Sequence, residues 1–74
     1  GTGAYEVTIS GTLKTALDNA SSYWYTVSGY DGDNIYTSNN WTTSGCRIYS
    51  RDLPGLQYQD TGITLQVWIH DASI

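Results

Sequence analysis

Apolar and polar residues alternate along much of this chain, and the longest alternation comes first. Through residues 5–17 the odd positions are Tyr5, Val7, Ile9, Gly11, Leu13, Thr15 and Leu17, and the even ones are Glu6, Thr8, Ser10, Thr12, Lys14 and Ala16. Side chains on a strand point to opposite faces in turn, so this period of two predicts one extended segment over residues 4–17 with an apolar and a polar face. Leu13, Leu17, Ala20 and Trp24 also lie at helical spacing, with Thr12 placed to cap a short helix. The unbroken alternation upstream favours the strand.

Further along, turn clusters separate five more strand candidates. Asp18-Asn19-Ala20-Ser21-Ser22 is a polar turn, followed by residues 23–30, where Tyr23, Tyr25 and Val27 share one face and Trp24, Thr26, Ser28 and Tyr30 the other. Asp31-Gly32-Asp33-Asn34 turns the chain into a short edge strand, Ile35-Tyr36-Thr37, and residues 38–45 read as a polar loop around Trp41. Cys46, Ile48 and Ser50 alternate with Arg47, Tyr49 and Arg51, and Pro54-Gly55 closes that strand. Residues 56–60 form another short strand. After Thr61-Gly62 the cleanest amphipathic pattern sets Ile63, Leu65, Val67 and Ile69 against Thr64, Gln66, Trp68 and His70. Six strands predict an all-β fold: a small antiparallel β-sandwich, immunoglobulin-like in broad architecture, forming a single domain over residues 1–74.

A chain of 74 residues buries about 60% of its unfolded surface, which leaves its core marginal without a supplement. The lone Cys46 excludes an intrachain disulfide, which leaves a metal or association as the supplement. Seven acidic against three basic side chains leave a net charge of −4, which argues against a phosphate backbone as partner, and nucleic acid is not expected. No apolar run is long enough to cross a bilayer, so membrane insertion is not expected either. The chain begins at Gly1 and contains no Met, for which a removed secretory signal is one explanation. Charged residues make up only 14% of it, and with its abundance of Ser, Thr, Asn, Gly and Tyr this composition points to an extracellular or cell-surface location.

The stretch Val7-Thr8-Ile9-Ser10-Gly11-Thr12-Leu13-Lys14-Thr15-Ala16 resembles the N-terminal segments of bacterial pilus and fibre subunits that polymerise by donor-strand exchange. In those subunits an alternating strand with a Gly near its middle completes a neighbour's incomplete immunoglobulin-like domain. The resemblance implies a structural subunit in which residues 4–17 are lent to a neighbour, with Tyr5, Val7, Ile9, Leu13 and Leu17 as the subunit interface. The partner would be identical subunits in a homo-oligomer or filament. The chain departs from such subunits in lacking their common disulfide. The competing expectation is that residues 5–17 pair with residues 63–71 inside one monomer.

Three Trp and seven Tyr with no Phe favour rings that carry a polar handle and suit half-wet surfaces. Trp41, Tyr36 and Tyr30 form the alternative site, a sugar-stacking platform that would make the chain a small carbohydrate-binding, lectin-like module with glycans as partners. Trp24 and Trp68 read instead as core or subunit-contact residues. Asn19-Ala20-Ser21 and Asn40-Trp41-Thr42 are N-glycosylation acceptor motifs, so Asn19 and Asn40 are candidate attachment points. Asp31-Gly32-Asp33-Asn34 offers hard oxygens but lacks the length and distal Glu of a calcium loop. One His and one Cys, no zinc-ligand spacing and no phosphate-binding Gly loop give no catalytic constellation, and neither an enzyme nor a cofactor is expected.

Overall fold

The N-terminal alternation ends at Ile9. A computed structural model of the chain describes residues 2–53 and 55–71. Its elements, in order, are strand β1 (Ala4–Thr8), helix α1 (Gly11–Asp18), and strands β2 (Ser22–Gly29), β3 (Asn34–Thr42), β4 (Gly45–Asp52) and β5 (Ile63–His70). All strand pairs are antiparallel. They form two small open sheets, one ordered β1-β4-β3 and the other β2-β5.

The single strand expected over residues 4–17 is thus corrected to a five-residue strand and an eight-residue helix. Two of the odd positions, Gly11 and Thr15, continued the alternation without adding apolar surface, so they did not compel a strand. Gly11 has φ +65°, which breaks the extended path after Ser10. From there Leu13, Ala16 and Leu17 fall at helical spacing, and burial of Ala16 and Leu17 favours the helix. Lys14 reaches Asp18 one turn on at 2.6 Å. The cap is Ser10, not Thr12, and Asn19 closes the C-terminus by donating from Nδ2 to the Thr15 carbonyl at 2.8 Å. Lys14, with the Thr43 hydroxyl, holds the Asp18 carboxyl below its ordinary value of 3.8 through hydrogen bonds.

The first strand also pairs differently from either expectation. β1 lies along β4, with Tyr5 opposite Ile48 and Val7 opposite Cys46, while β5 pairs with β2. Gly45 permits this close seating: a Cβ there would stand 1.8 Å from the Val7 carbonyl oxygen. Beyond the start of β1, residues 57–59 take over its place beside β4, where the Gln59 N–H donates to the Ser50 carbonyl at 3.0 Å. The strand expected over residues 56–60 is reduced to one bridge, Arg51 to Tyr58. Pro54, expected to help close β4, lies outside the described residues.

β3 is longer than its apolar residues indicate. The polar loop expected over residues 38–45 is corrected in part to strand: Ser38 and Asn39 have weak strand preference, yet pairing with β4 carries them in the ladder, and a bulge holds Asn40 and Trp41 before Thr42 pairs with Gly45. Thr43 and Ser44 then make the turn between Thr42 and Gly45.

The two sheets share one core built from Ile9, Leu17, Tyr25, Cys46 and Ile48. Ile48 is fully buried, whereas Val7, Val27, Ile63, Leu65, Val67 and Ile69 are only half-buried and Leu13 is exposed. The inner face of β2 and β5 is therefore incompletely covered. Burial raises the Cys46 thiol above its ordinary value of 9.0. A polar patch interrupts the apolar interior: the buried Ser50 hydroxyl accepts from Asn34 Nδ2 at 2.9 Å and lies 3.4 Å from Thr61 Oγ1. The Ser50 and Thr61 hydroxyls are satisfied in this way, while Asn34 Oδ1 is buried without a hydrogen-bond partner, which costs stability.

Candidate interaction surface

Alternation along β2 and β5 sends Ser22, Trp24, Thr26 and Ser28 to the same side as Thr64, Gln66, Trp68 and His70, away from the core. Antiparallel register then sets Trp24 directly opposite Trp68 and Thr26 opposite Gln66. The two indole rings lie with centroids 6.3 Å apart and planes within 7° of parallel. They are 45% and 47% exposed. Trp68 Nε1 donates to Thr26 Oγ1 at 3.2 Å, and Thr26 Oγ1 donates to Gln66 Oε1 at 3.2 Å, so the rings are tethered to their neighbours across the ribbon. Such an aromatic pair contributes about 0.5–1.5 kcal/mol beyond area burial and leaves much ring surface in water.

Charge is sparse on this face. None of its eight outward residues is Lys, Arg, Asp or Glu. His70, at the end of β5, has Nε2 3.1 Å from the Asp71 carboxylate. Among the described residues β2 and β5 pair with each other and with no third strand, so both ribbon edges present backbone groups for pairing.

The outer face of the other sheet has a different chemistry. Arg47, Tyr49 and Arg51 project from β4, and Arg51 stacks over the Tyr58 ring at 4.6 Å while donating to its hydroxyl at 2.7 Å. Tyr49 and Tyr58 lie 6.1 Å apart. Two of the chain's three cations thus share one face, each beside aromatic or carboxylate neighbours; Glu6 stands opposite Arg47.

The residues expected to make the lent strand serve this chain's own interior. Ile9 and Leu17 are buried in the core, and Tyr5 and Val7 pack against it. Leu13, at 41% exposure, is the exception and lies on the outer side of α1. Within this chain Tyr5, Val7, Ile9 and Leu17 line the core, β1 through its pairing with β4 and Leu17 from α1.

Trp41, Tyr36 and Tyr30 do not assemble into one platform. Tyr36 turns inward and its hydroxyl bonds Thr61 Oγ1 at 2.9 Å and the Asp31 backbone. Trp41 sets its ring edge-to-face with buried Tyr25 at 5.6 Å and donates to Ser38 Oγ at 3.0 Å. Tyr30 is 92% exposed but follows the far end of β2. Five residues, including the bulge at Asn40, separate Tyr36 from Trp41 along β3. The platform that does form, Trp24 with Trp68, was visible in the outward half of each alternation; only the register could show that the two meet.

Asn19 caps α1, and Asn40 lies exposed at the β3 bulge with φ +56°. Asp31 accepts from the Asp33 backbone N–H at 2.9 Å, an ordinary Asx turn. Among the described residues no group of three or more His, Cys, Asp or Glu is arranged to hold a metal, and no helix is long and apolar enough to cross a membrane. Compared with protein-family models, curated proteins and solved structures, the chain matches none.

Proposed function

We propose that the chain is an extracellular structural subunit that self-assembles, using the β2–β5 ribbon as its joining surface. One observation carries this reading: among the described residues the ribbon has two strands with unpaired edges, a half-covered inner face and a tryptophan pair on its outer face. Two strands alone are marginal in water, and an added strand from a neighbour would satisfy both backbone and apolar surface. In this reading the fold is an abbreviated β-sandwich, immunoglobulin-like in broad arrangement, that a neighbouring copy completes. Lending of residues 4–17 is not required, because β1 already occupies its place beside β4.

Magnitudes favour edge pairing and ring contact acting together. Each half-exposed Trp leaves roughly 100 Å² to cover, so two pairs meeting across copies remove about 400 Å² from water, worth about 10 kcal/mol. Association costs about 4–15 kcal/mol in lost freedom. Ring contact therefore only breaks even, and backbone bonds along the edges supply the surplus. Low charge and abundant Ser, Thr and Tyr suit a surface assembly outside the cell.

A second reading rests on the same near-parallel indoles, which with no charged neighbours offer a stacking surface to a neutral glycan. Sedimentation and negative-stain microscopy of the full chain separate the two. Filaments or concentration-dependent oligomers, lost in a Trp24→Thr, Trp68→Thr double variant of unchanged circular dichroism, are expected. A wild-type chain that stays monomeric at every concentration overturns self-assembly. If that monomer binds neutral glycans through the tryptophans, it is a binding module.

A further inference from the structure

The two acceptor motifs occupy very different places. At Asn19 the carboxamide nitrogen, the atom that a sugar must be joined to, donates to the Thr15 carbonyl and closes helix α1. Two residues on, the Ser21 backbone N–H donates to the His70 carbonyl at 3.0 Å, so the motif is anchored at both ends. Asn40 is the opposite case. It sits in the bulge of β3, between the pairs Asn39 with Arg47 and Thr42 with Gly45, where β4 offers it no partner. Its left-handed φ of +56° is tolerated by Asn and swings the residue out of the ladder.

Space is available where Asn40 points. It lines an open groove of about 410 Å³ together with Glu6, Thr8, Thr42, Ser44 and Arg47. These side chains supply hydroxyl, carboxylate and guanidinium groups suited to sugar hydroxyls, and the groove is open to solvent. Thr42, the motif's hydroxyl residue, is exposed: its Oγ1 accepts from the Ser44 backbone N–H at 3.1 Å, while its carbonyl accepts from the Tyr25 hydroxyl and holds the backbone in place.

We infer that Asn40, and not Asn19, is an N-linked glycan acceptor. In the modification, Asn40 Nδ2 displaces the diphosphate from C1 of a diphosphate-activated sugar donor. The N–C1 bond forms as the C1–O bond breaks, Nδ2 gives up one proton, and the diphosphate leaves with the electron pair. A glycosyltransferase of the producing cell supplies the catalysis. The attached sugar would project from the β3 bulge on the sheet opposite the Trp24 and Trp68 pair, leaving the ribbon uncovered. This inference rests on the motif, the bulge and the groove and on the proposed extracellular location, and is independent of self-assembly.

Mass spectrometry of protein purified from its native source is the test. The intact mass should exceed that of the bare chain by sugar units, and fragmentation that preserves the linkage should place them on Asn40 with Asn19 bare. A Thr42→Ala chain made in the same host should carry none, although Asn40 is retained. A bare Asn40 overturns the inference, whether or not Asn19 is modified. Sugar on both residues overturns the selection between them.

Discussion

Gly45→Ala is expected to unseat β1 from β4. The new Cβ would lie 1.8 Å from the Val7 carbonyl oxygen, 2.9 Å from its carbon and 3.3 Å from Thr8 Cα, all backbone atoms that no side-chain rotation can move aside. Gly45 also has φ +141°, a region that residues with a Cβ rarely occupy, and holding Ala there costs about 1–3 kcal/mol. Moving the end of β1 away would sacrifice the bond from the Ile9 N–H to the Ser44 carbonyl, at 2.8 Å, and at least one ladder bond near Val7, each worth about 0.5–1.5 kcal/mol. The total, about 2–6 kcal/mol, is a large part of the roughly 4–11 kcal/mol expected for a domain of this size. Thermal unfolding followed by circular dichroism should show a midpoint lower by about 10 °C or more, given 4–8 °C per kcal/mol. Gly32→Ala is the control, because a Cβ there meets nothing within 4 Å, and its midpoint should stay or rise slightly. With β4 uncovered, the Gly45→Ala chain should also form strand-exchanged dimers or aggregates on sizing. A Gly45→Ala chain as stable as the wild type would refute the β1–β4 register and, with it, the placement of Tyr5 and Val7 over the core.

Ile48→Ala should cost about 2–5 kcal/mol in urea unfolding, since the side chain is fully buried between the sheets and its removal leaves a cavity; a loss below about 1 kcal/mol would show that the sheets do not close over it. Stability should also fall at alkaline pH. Burial raises Cys46 above 9.0, and burial, then the Cys46 and Tyr23 charges, raises Tyr25 above 10.0. Both groups bind protons more tightly folded than unfolded, so their contribution is complete below pH 9.0 and is lost as pH rises through the raised folded values. The loss that begins near pH 9.0 should disappear in Cys46→Ala, and an unchanged pH profile in that variant would assign it to other groups.

Alternation along the chain determined three strands and their sidedness. Residues 23–30, 46–51 and 63–70 were legible as strands, and the structure has them as β2, β4 and β5 with boundaries shifted by one residue or not at all. A period of two is a local property, and each of these segments keeps it with apolar or aromatic side chains on the inner face, apart from the buried Ser50 of β4. The residues on the outer face were legible for the same reason, including Trp24 and Trp68. Where the alternation was carried by Gly11 and Thr15 it had no apolar content, and the choice between strand and helix passed to tertiary burial of Ala16 and Leu17. Pairing also lay beyond the sequence. Whether β1 meets β4, β5 or another copy depends on backbone fit at Gly45 and on which sheet covers Ile48, neither of which leaves a mark in the pattern. Likewise, two acceptor motifs look alike as triplets of residues, and only the structure commits the Asn19 amide to a helix end and leaves Asn40 free of β4 at a bulge. Local periodicity decides which way a side chain faces; packing across the sheets decides what it faces.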